Sequence, residues 1–322
     1  KVVSRQHHYI SQFYLRGFSS EGSKKTKLTV IDLVSNKTFV TTPRNVGGIR
    51  DFNRIDSDSI APDAIENIYS EFESKAAKSI KAIEQGAFFD GEHKNIIINL
   101  IALYAVRSPQ RRERVRSLHE DISRRSFDLL LSSEQHWNSN KNKIFPSGHN
   151  VNQDLTYKEM RSFHDKKIHT LELDSAYHID IEMNMLEPVF NSLANRNWML
   201  IESVDEKFPF ITTDNPVVLS WINPTEMPTL YQNAIGYNNR DTRLIFPLTR
   251  KHLLVGDFKG IDGKIQVNGE MVARFNSNLL LLAIRQIYAS KIHFYFMDMN
   301  DNLVVGSKYL SFYKSLESDK PE

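Results

Sequence analysis

The sequence predicts an α+β protein with an N-terminal helix and β-hairpin, a central helical block, and a C-terminal, mainly antiparallel sheet with one long helix. Three observations carry this prediction. Apolar residues recur at helical spacing through the middle of the chain, and short β-rich runs separated by turn residues fill its last third. The two kinds of segment are also segregated, not alternated as in a repeating βαβ sheet. The 322 residues read as one continuous domain over 1–322, divisible into a helical block at 60–195 and a β-rich part made of 1–59 with 196–322.

The elements follow in order. Tyr9, Ile10, Phe13, Tyr14 and Phe18 have helical spacing, and Gly17 marks the end. Residues 27–33 and 37–42 flank Ser35-Asn36, which predicts a hairpin closed by a polar turn. Gly47-Gly48 and the polar stretch 51–59 read as loop. Pro62 suits a first helical turn, followed by the apolar stripe Ile65, Ile68, Phe72, Ala76, Ile80 and Ile83, with Gly86 as the stop. Residues 95–106 are apolar on all sides and predict a buried helix. A long charged helix then runs from Pro109 to about Ser132. The Ser-, Asn- and Lys-rich stretch 133–154 reads as loop. Thr156 and Glu159 form a capping-box pattern, and 174–195 predicts another helix. Short strands are expected at 197–203, 209–213, 217–221, 243–249 and 252–258. A final helix over 270–289, a strand over 292–298 and a hairpin at 300–302 complete the chain.

Composition narrows the function classes. There are 41 basic and 39 acidic residues, a net charge of +2. Such balance argues against the positive coat of many non-specific nucleic-acid binders. Cysteine is absent, which excludes disulfide frameworks, thiolate zinc sites and cysteine nucleophiles and fits a reducing compartment. The longest apolar run, Leu279 to Ile287, is broken by Arg285 and Gln286. No membrane partner is expected, and the polar, basic start leads into no signal-type run. The expected location is the cytoplasm.

The segment His7-His8-Tyr9-Ile10-Ser11-Gln12-Phe13-Tyr14-Leu15-Arg16-Gly17-Phe18 resembles the opening signature of the domain-of-unknown-function family 4238. In that signature a His-Tyr pair precedes Val or Ile, Pro, Gln and Tyr-Leu-x-x-Phe. Ser11 stands where the family usually has proline, which would loosen the start of the first helix. Ile68 to Lys75 with Glu73, Arg107-Ser108-Pro109, Phe210 to Val217 with Thr213-Asp214-Asn215-Pro216, Phe246 to Thr249 and Asn276 to Ser290 continue the resemblance over nearly the whole chain. It implies a bacterial accessory or mobile-element gene product and carries no assigned activity.

The candidate chemistry is read from side chains. Imidazole titrates near neutrality, so His7 or His8 could act as acid, base or metal ligand. On a helix only one of two adjacent histidines enters a site, and the position beside Tyr9 favours His8. The plain alternative is a histidine that anchors the N-terminus. Asp214, at the end of an expected strand and before Asn215-Pro216, could project into a cleft or close an Asx-type turn. Glu73 could be an acid–base or metal-binding carboxylate, or part of a solvated helix face. Pro62-Asp63 with Glu73-Ser74-Lys75 spells a metal-dependent nuclease pattern, but that chemistry needs strands, and the stripe here predicts a helix. Arg114 to His119 matches a helical ribonuclease spacing, yet the arginine-rich helix makes such spacings common by chance. Its interleaved Glu113, Glu120 and Asp121 favour a salt-bridged surface. Asp174, His178 and Glu182 share a helix face where ion pairing is the commoner outcome.

These readings combine into a concrete expectation: a phosphodiester-cleaving, nuclease-like enzyme in a bacterial defence or toxin-like role. His8 would be the general acid–base, and Asp214 and Glu73 would orient it or hold a divalent metal. Arg107 would bind phosphate, with Tyr9, Thr213 and Asn215 contacting the substrate. The rival is a non-catalytic sensor, or a component that binds a protein partner encoded in the same operon. In that case His8-Tyr9 and Thr213-Asp214-Asn215 would clamp the N-terminus to the C-terminal sheet.

Overall fold

A computed structural model describes residues 5–20, 27–55, 61, 64–144, 155–166, 170–226 and 235–318. The architecture is α+β, as the segregated pattern predicts. The chain forms two compact units, one of Lys1–Ser108 with Ile179–Glu322 and one of Pro109–His178.

The larger unit opens with strand β1 (Gln6–His8) and the short helix α1 (Gln12–Arg16). The hairpin follows as β2 (Leu28–Asp32) and β3 (Lys37–Thr41), with Asp32 opposite Lys37 and Asn36 at φ +52° in the turn. Next comes β4 (Gly48–Arg50), which pairs antiparallel with β1 so that His7 faces Ile49 and His8 faces Gly48. The expectations of helical histidines and of a loop at Gly48 are therefore corrected. Gly47, at φ +67°, turns its carbonyl to receive the Tyr9 and Ile10 amides at 2.9 and 3.1 Å. Long-range pairing has replaced a helical turn at these residues. Strand alternation then sends the two histidines to opposite sides, His7 buried and His8 half-buried.

Helix α2 (Ala64–Glu84) buries Tyr69, Ala76, Ile80 and Ile83 and leaves Ile68 61% exposed. Ala76, Ile80 and Ile83 of the expected stripe face the core and Phe72 packs against it, so the stripe forms except at Ile68, whose interior place Tyr69 takes. Pro62 lies outside the described residues. Helix α3 (Gly91–Val106) is buried on nearly all sides of its second half, as its apolar run predicts.

The smaller unit contains α4 (Pro109–Leu130), α5 (Glu134–Ile144) and α6 (Tyr157–Asp165). Helix α5 corrects the loop expected over 133–154; residues 145–154 lie outside the described residues. Trp137, 1% exposed, packs with Leu130, Leu131 and Met160, and burial of this one aromatic outweighs the poor helix propensity around it. The capping box forms as read, with Glu159 N donating to Thr156 Oγ1 and Thr156 N donating to Glu159 Oε2.

After α7 (Ser175–Ala194) come β5 (Asn197–Ser203), β6 (Thr212–Thr213), β7 (Val218–Trp221), β8 (Thr242–Pro247), β9 (His252–Asp257) and β10 (Gly263–Val267). Helix α8 (Gly269–Leu281), β11 (Gln286–Ala289), β12 (Tyr295–Met297), β13 (Leu303–Val305) and α9 (Tyr309–Ser318) follow. A five-stranded sheet runs β10-β5-β9-β8-β7 and a four-stranded one β3-β2-β11-β6. Pairing is antiparallel except between β10 and β5. Strand β10 and helix α9 are additions to the sequence reading. The helix expected over 270–289 stops at Leu281, and its tail becomes β11, paired to β2 and β6. An apolar run is buried in either conformation, so periodicity alone does not separate them.

Both faces of the five-stranded sheet are covered. Trp198, Leu200, Leu244, Phe246 and Leu254 join a core that includes Tyr14, Ile80 and Ile101. Ile201, Ile245, Leu253 and Val255 join a second core with Val272 and Leu279 of α8. The first core carries α1, α2 and α3, and the candidate site lies among those elements. Among the described residues no helix is long and apolar enough to cross a membrane.

Candidate functional site

A pocket of about 400 Å³ is lined by His8, Arg16, Glu66, Tyr69, Glu73 and Arg107, with Phe13 and smaller side chains between them. Strand β1 delivers His8 at its end, and α1 delivers Arg16 one turn after its start. Glu66, Tyr69 and Glu73 recur at helical spacing on α2. Arg107 is the C-cap of α3, where φ −110° and ψ +78° end the helix.

Arg107 is 1% exposed. Its Nη2 donates to the His8 carbonyl at 2.6 Å, and its guanidinium carbon lies 4.1 Å from the centre of the Tyr69 ring. Its Nε and Nη1 are buried with no hydrogen-bond partner among the described residues. A buried guanidinium with unmatched N–H groups carries a desolvation penalty that an anionic ligand would offset.

Glu73 is half-buried, and its Oε1 accepts the Ser11 hydroxyl. Burial pushes its carboxyl above the usual range, opposed by the Ser11 hydrogen bond and the charge of Arg107. The solvated-face reading of Glu73 therefore does not describe this residue. Burial also pushes the His8 imidazole below its ordinary value, opposed by the Arg44 carbonyl and by Glu66. His8 Nε2 lies 3.3 Å from that carbonyl. A carbonyl only accepts, so Nε2 carries the hydrogen and Nδ1 keeps the lone pair. The two shifts run toward each other: burial favours the neutral form of both the carboxyl and the imidazole.

The remaining polar groups set this arrangement. Glu66 Oε1 accepts from Asn53 Nδ2, and the Asn53 amide donates to His7 Nδ1 at 2.9 Å. His7 is thereby bonded into the interior, while His8 reaches the pocket. Sequence reasoning missed Arg16 and Tyr69 as lining groups and Ser11 as a partner of Glu73. The one available signal was Ser11 itself, a hydroxyl where the resembled signature has proline.

Asp214, Tyr9, Thr213 and Asn215 do not line this pocket. Asp214, 5% exposed, accepts the Ile284 and Arg285 amides at 3.1 and 2.8 Å, and burial raises its carboxyl against those bonds. Thr213 Oγ1 accepts the Asn215 amide, and Asn215 Nδ2 donates to the Leu282 carbonyl. Together these bonds hold the 213–215 turn against the connection from α8 to β11. Tyr9 is buried beside Phe52, and burial raises its hydroxyl.

The other motifs resolve into structure. Lys75 is exposed and pairs with Glu71 at 3.2 Å, while Asp63 lies outside the described residues. In the smaller unit, His119 Nδ1 lies 2.8 Å from the Val115 carbonyl and Nε2 lies 2.6 Å from the Tyr177 hydroxyl. Both ring nitrogens are engaged. Arg116 bridges Glu113 and Glu120, as the interleaved charges predict. No group of three His, Asp or Glu side chains among the described residues could hold a metal ion, which also applies to Asp174, His178 and Glu182.

Comparison with known proteins returns no matching curated protein and no matching solved structure. The family described as "Protein of unknown function (DUF4238)" matches residues 6–293, a span that contains every residue of the pocket. The chain therefore belongs to the DUF4238 family.

Proposed function

We propose that the pocket is the active site of a phosphodiester-cleaving, nuclease-like enzyme that works by paired acid–base catalysis. The carrying observation is that the guanidinium residues Arg107 and Arg16 line the same pocket as His8 and Glu73. Arg107 and Arg16 would bind the phosphate, His8 Nδ1 would take a proton from the attacking hydroxyl, and the Glu73 carboxyl would protonate the leaving oxygen. Asp214 has no part in this reading, because its oxygens hold backbone amides.

The test is cleavage by the purified chain of bis(4-nitrophenyl) phosphate and of 2-hydroxypropyl 4-nitrophenyl phosphate, whose own hydroxyl can attack, with His8→Gln and Glu73→Gln as variants. Each variant should fall about 10²–10⁴-fold while unfolding at the same temperature as the native protein. Induced expression in bacteria, with growth and nucleic-acid integrity followed, checks a toxin-like role. The clamp formed by Asp214 and Asn215 favours a second reading, a sensor that takes an anion at Arg107 without cleaving it. That reading predicts saturable phosphate binding with no turnover.

A further inference from the structure

We propose that the substrate is single-stranded RNA, cleaved by attack of its own 2′-hydroxyl to leave a 2′,3′-cyclic phosphate and a 5′-hydroxyl. This inference rests on the active-site reading above and names its substrate.

The donor set is what selects RNA. The pocket offers an imidazole nitrogen with a lone pair, a carboxyl and two guanidinium groups, and no three-ligand set for a metal forms among the described residues. Attack of free water on an unstrained DNA phosphodiester lacks the proximity that an attached 2′-hydroxyl supplies and the strain that assists opening of a cyclic phosphate. RNA brings its nucleophile covalently attached beside the phosphorus. A cavity of about 400 Å³ has room for a ribose with its phosphate, which an unpaired strand turns into it most readily.

The step balances without a co-reactant. The 2′-oxygen forms a bond to phosphorus as its proton passes to His8 Nδ1. The phosphorus–5′-oxygen bond breaks, and that oxygen receives the Glu73 proton. His8 is left as imidazolium and Glu73 as carboxylate. Water then either exchanges these protons or opens the cyclic phosphate with the two roles reversed. Arg107 meets the charge that develops on the non-bridging oxygens.

The experiment uses the full chain with a short single-stranded RNA, the same RNA with one 2′-deoxy position, and the all-deoxy strand. Products are read by phosphorus NMR and end-group analysis. The expected result is cyclic-phosphate ends from the RNA, no cleavage at the 2′-deoxy position, and an intact all-deoxy strand. His8→Gln, with its fold verified by thermal unfolding, should lose at least about 100-fold. Cleavage of the all-deoxy strand, or 5′-phosphate ends, overturns the RNA inference and leaves the active-site reading standing. If bis(4-nitrophenyl) phosphate, 2-hydroxypropyl 4-nitrophenyl phosphate and every strand stay intact, both readings are overturned.

Discussion

Ser11 sits at the N-cap of α1 but does not cap it: its hydroxyl donates to Oε1 of Glu73 on α2. Its amide donates to the Tyr104 hydroxyl at 3.3 Å, so both donors of a buried residue are committed across the core. A hydrogen bond to a carboxylate favours the charged form. Ser11→Ala should therefore raise the Glu73 pKa further and move the alkaline limb of the pH–rate profile upward. A limb that stays in place would show that Glu73 does not titrate in catalysis. Ser11→Pro restores the family-like residue yet removes both donors, and it should lower stability by about 1–3 kcal/mol, read by denaturant unfolding.

The paired shifts set a pH dependence. The proposed reaction requires His8 neutral, so its rate should fall as pH drops through a value below the ordinary 6.5 of imidazole. It also requires Glu73 protonated, so its rate should fall as pH rises through a value above the ordinary 4.5 of that carboxyl. The optimum should lie on the acidic side of neutrality, between those two values. An optimum in the alkaline range would exclude this assignment of roles.

Asp214 separates structure from chemistry. Asp214→Asn keeps one acceptor for the Ile284 and Arg285 amides and loses the other. Stability should fall by about 1–3 kcal/mol, with activity per folded molecule within about twofold of native. A folded variant without activity would return Asp214 to the site.

Arg107→Lys keeps the charge but loses the planar fork that bonds His8 and stacks on Tyr69. Lysine presents a point charge and cannot reproduce both contacts. Phosphate affinity, measured by calorimetry, should weaken about tenfold or more, equivalent to about 1.4 kcal/mol. An unchanged affinity would place the anion site elsewhere.

Gly47 holds the strand that presents His8. Its φ of +67° and a would-be Cβ 3.1 Å from the Ile10 carbonyl oxygen leave no unstrained place for a side chain. Gly47→Ala should destabilise the protein by about 1–2 kcal/mol in equilibrium unfolding. Its activity should drop more than that of Asp214→Asn at equal folded fraction, because β1 carries a pocket residue.

The sequence by itself determined the α+β class, the hairpin at Ser35-Asn36, the buried α3, the capping box and the salt-bridged α4. Each depends on neighbours within a turn or two, where periodicity and capping chemistry act directly. It also brought His8, Glu73 and Arg107 forward by residue type. Only the tertiary structure decided that these three share a pocket while Asp214 lies elsewhere. Asp214 is a buried carboxylate and Glu73 a half-buried one, and what separates them is the partner each finds far along the chain. One meets two backbone amides of the α8–β11 connection, the other a serine hydroxyl and a guanidinium. The same long-range pairing turned His7-His8 and 286–289 into strands and Trp137 into the anchor of α5. Hydrogen bonds and burial between distant segments outweigh local propensity there.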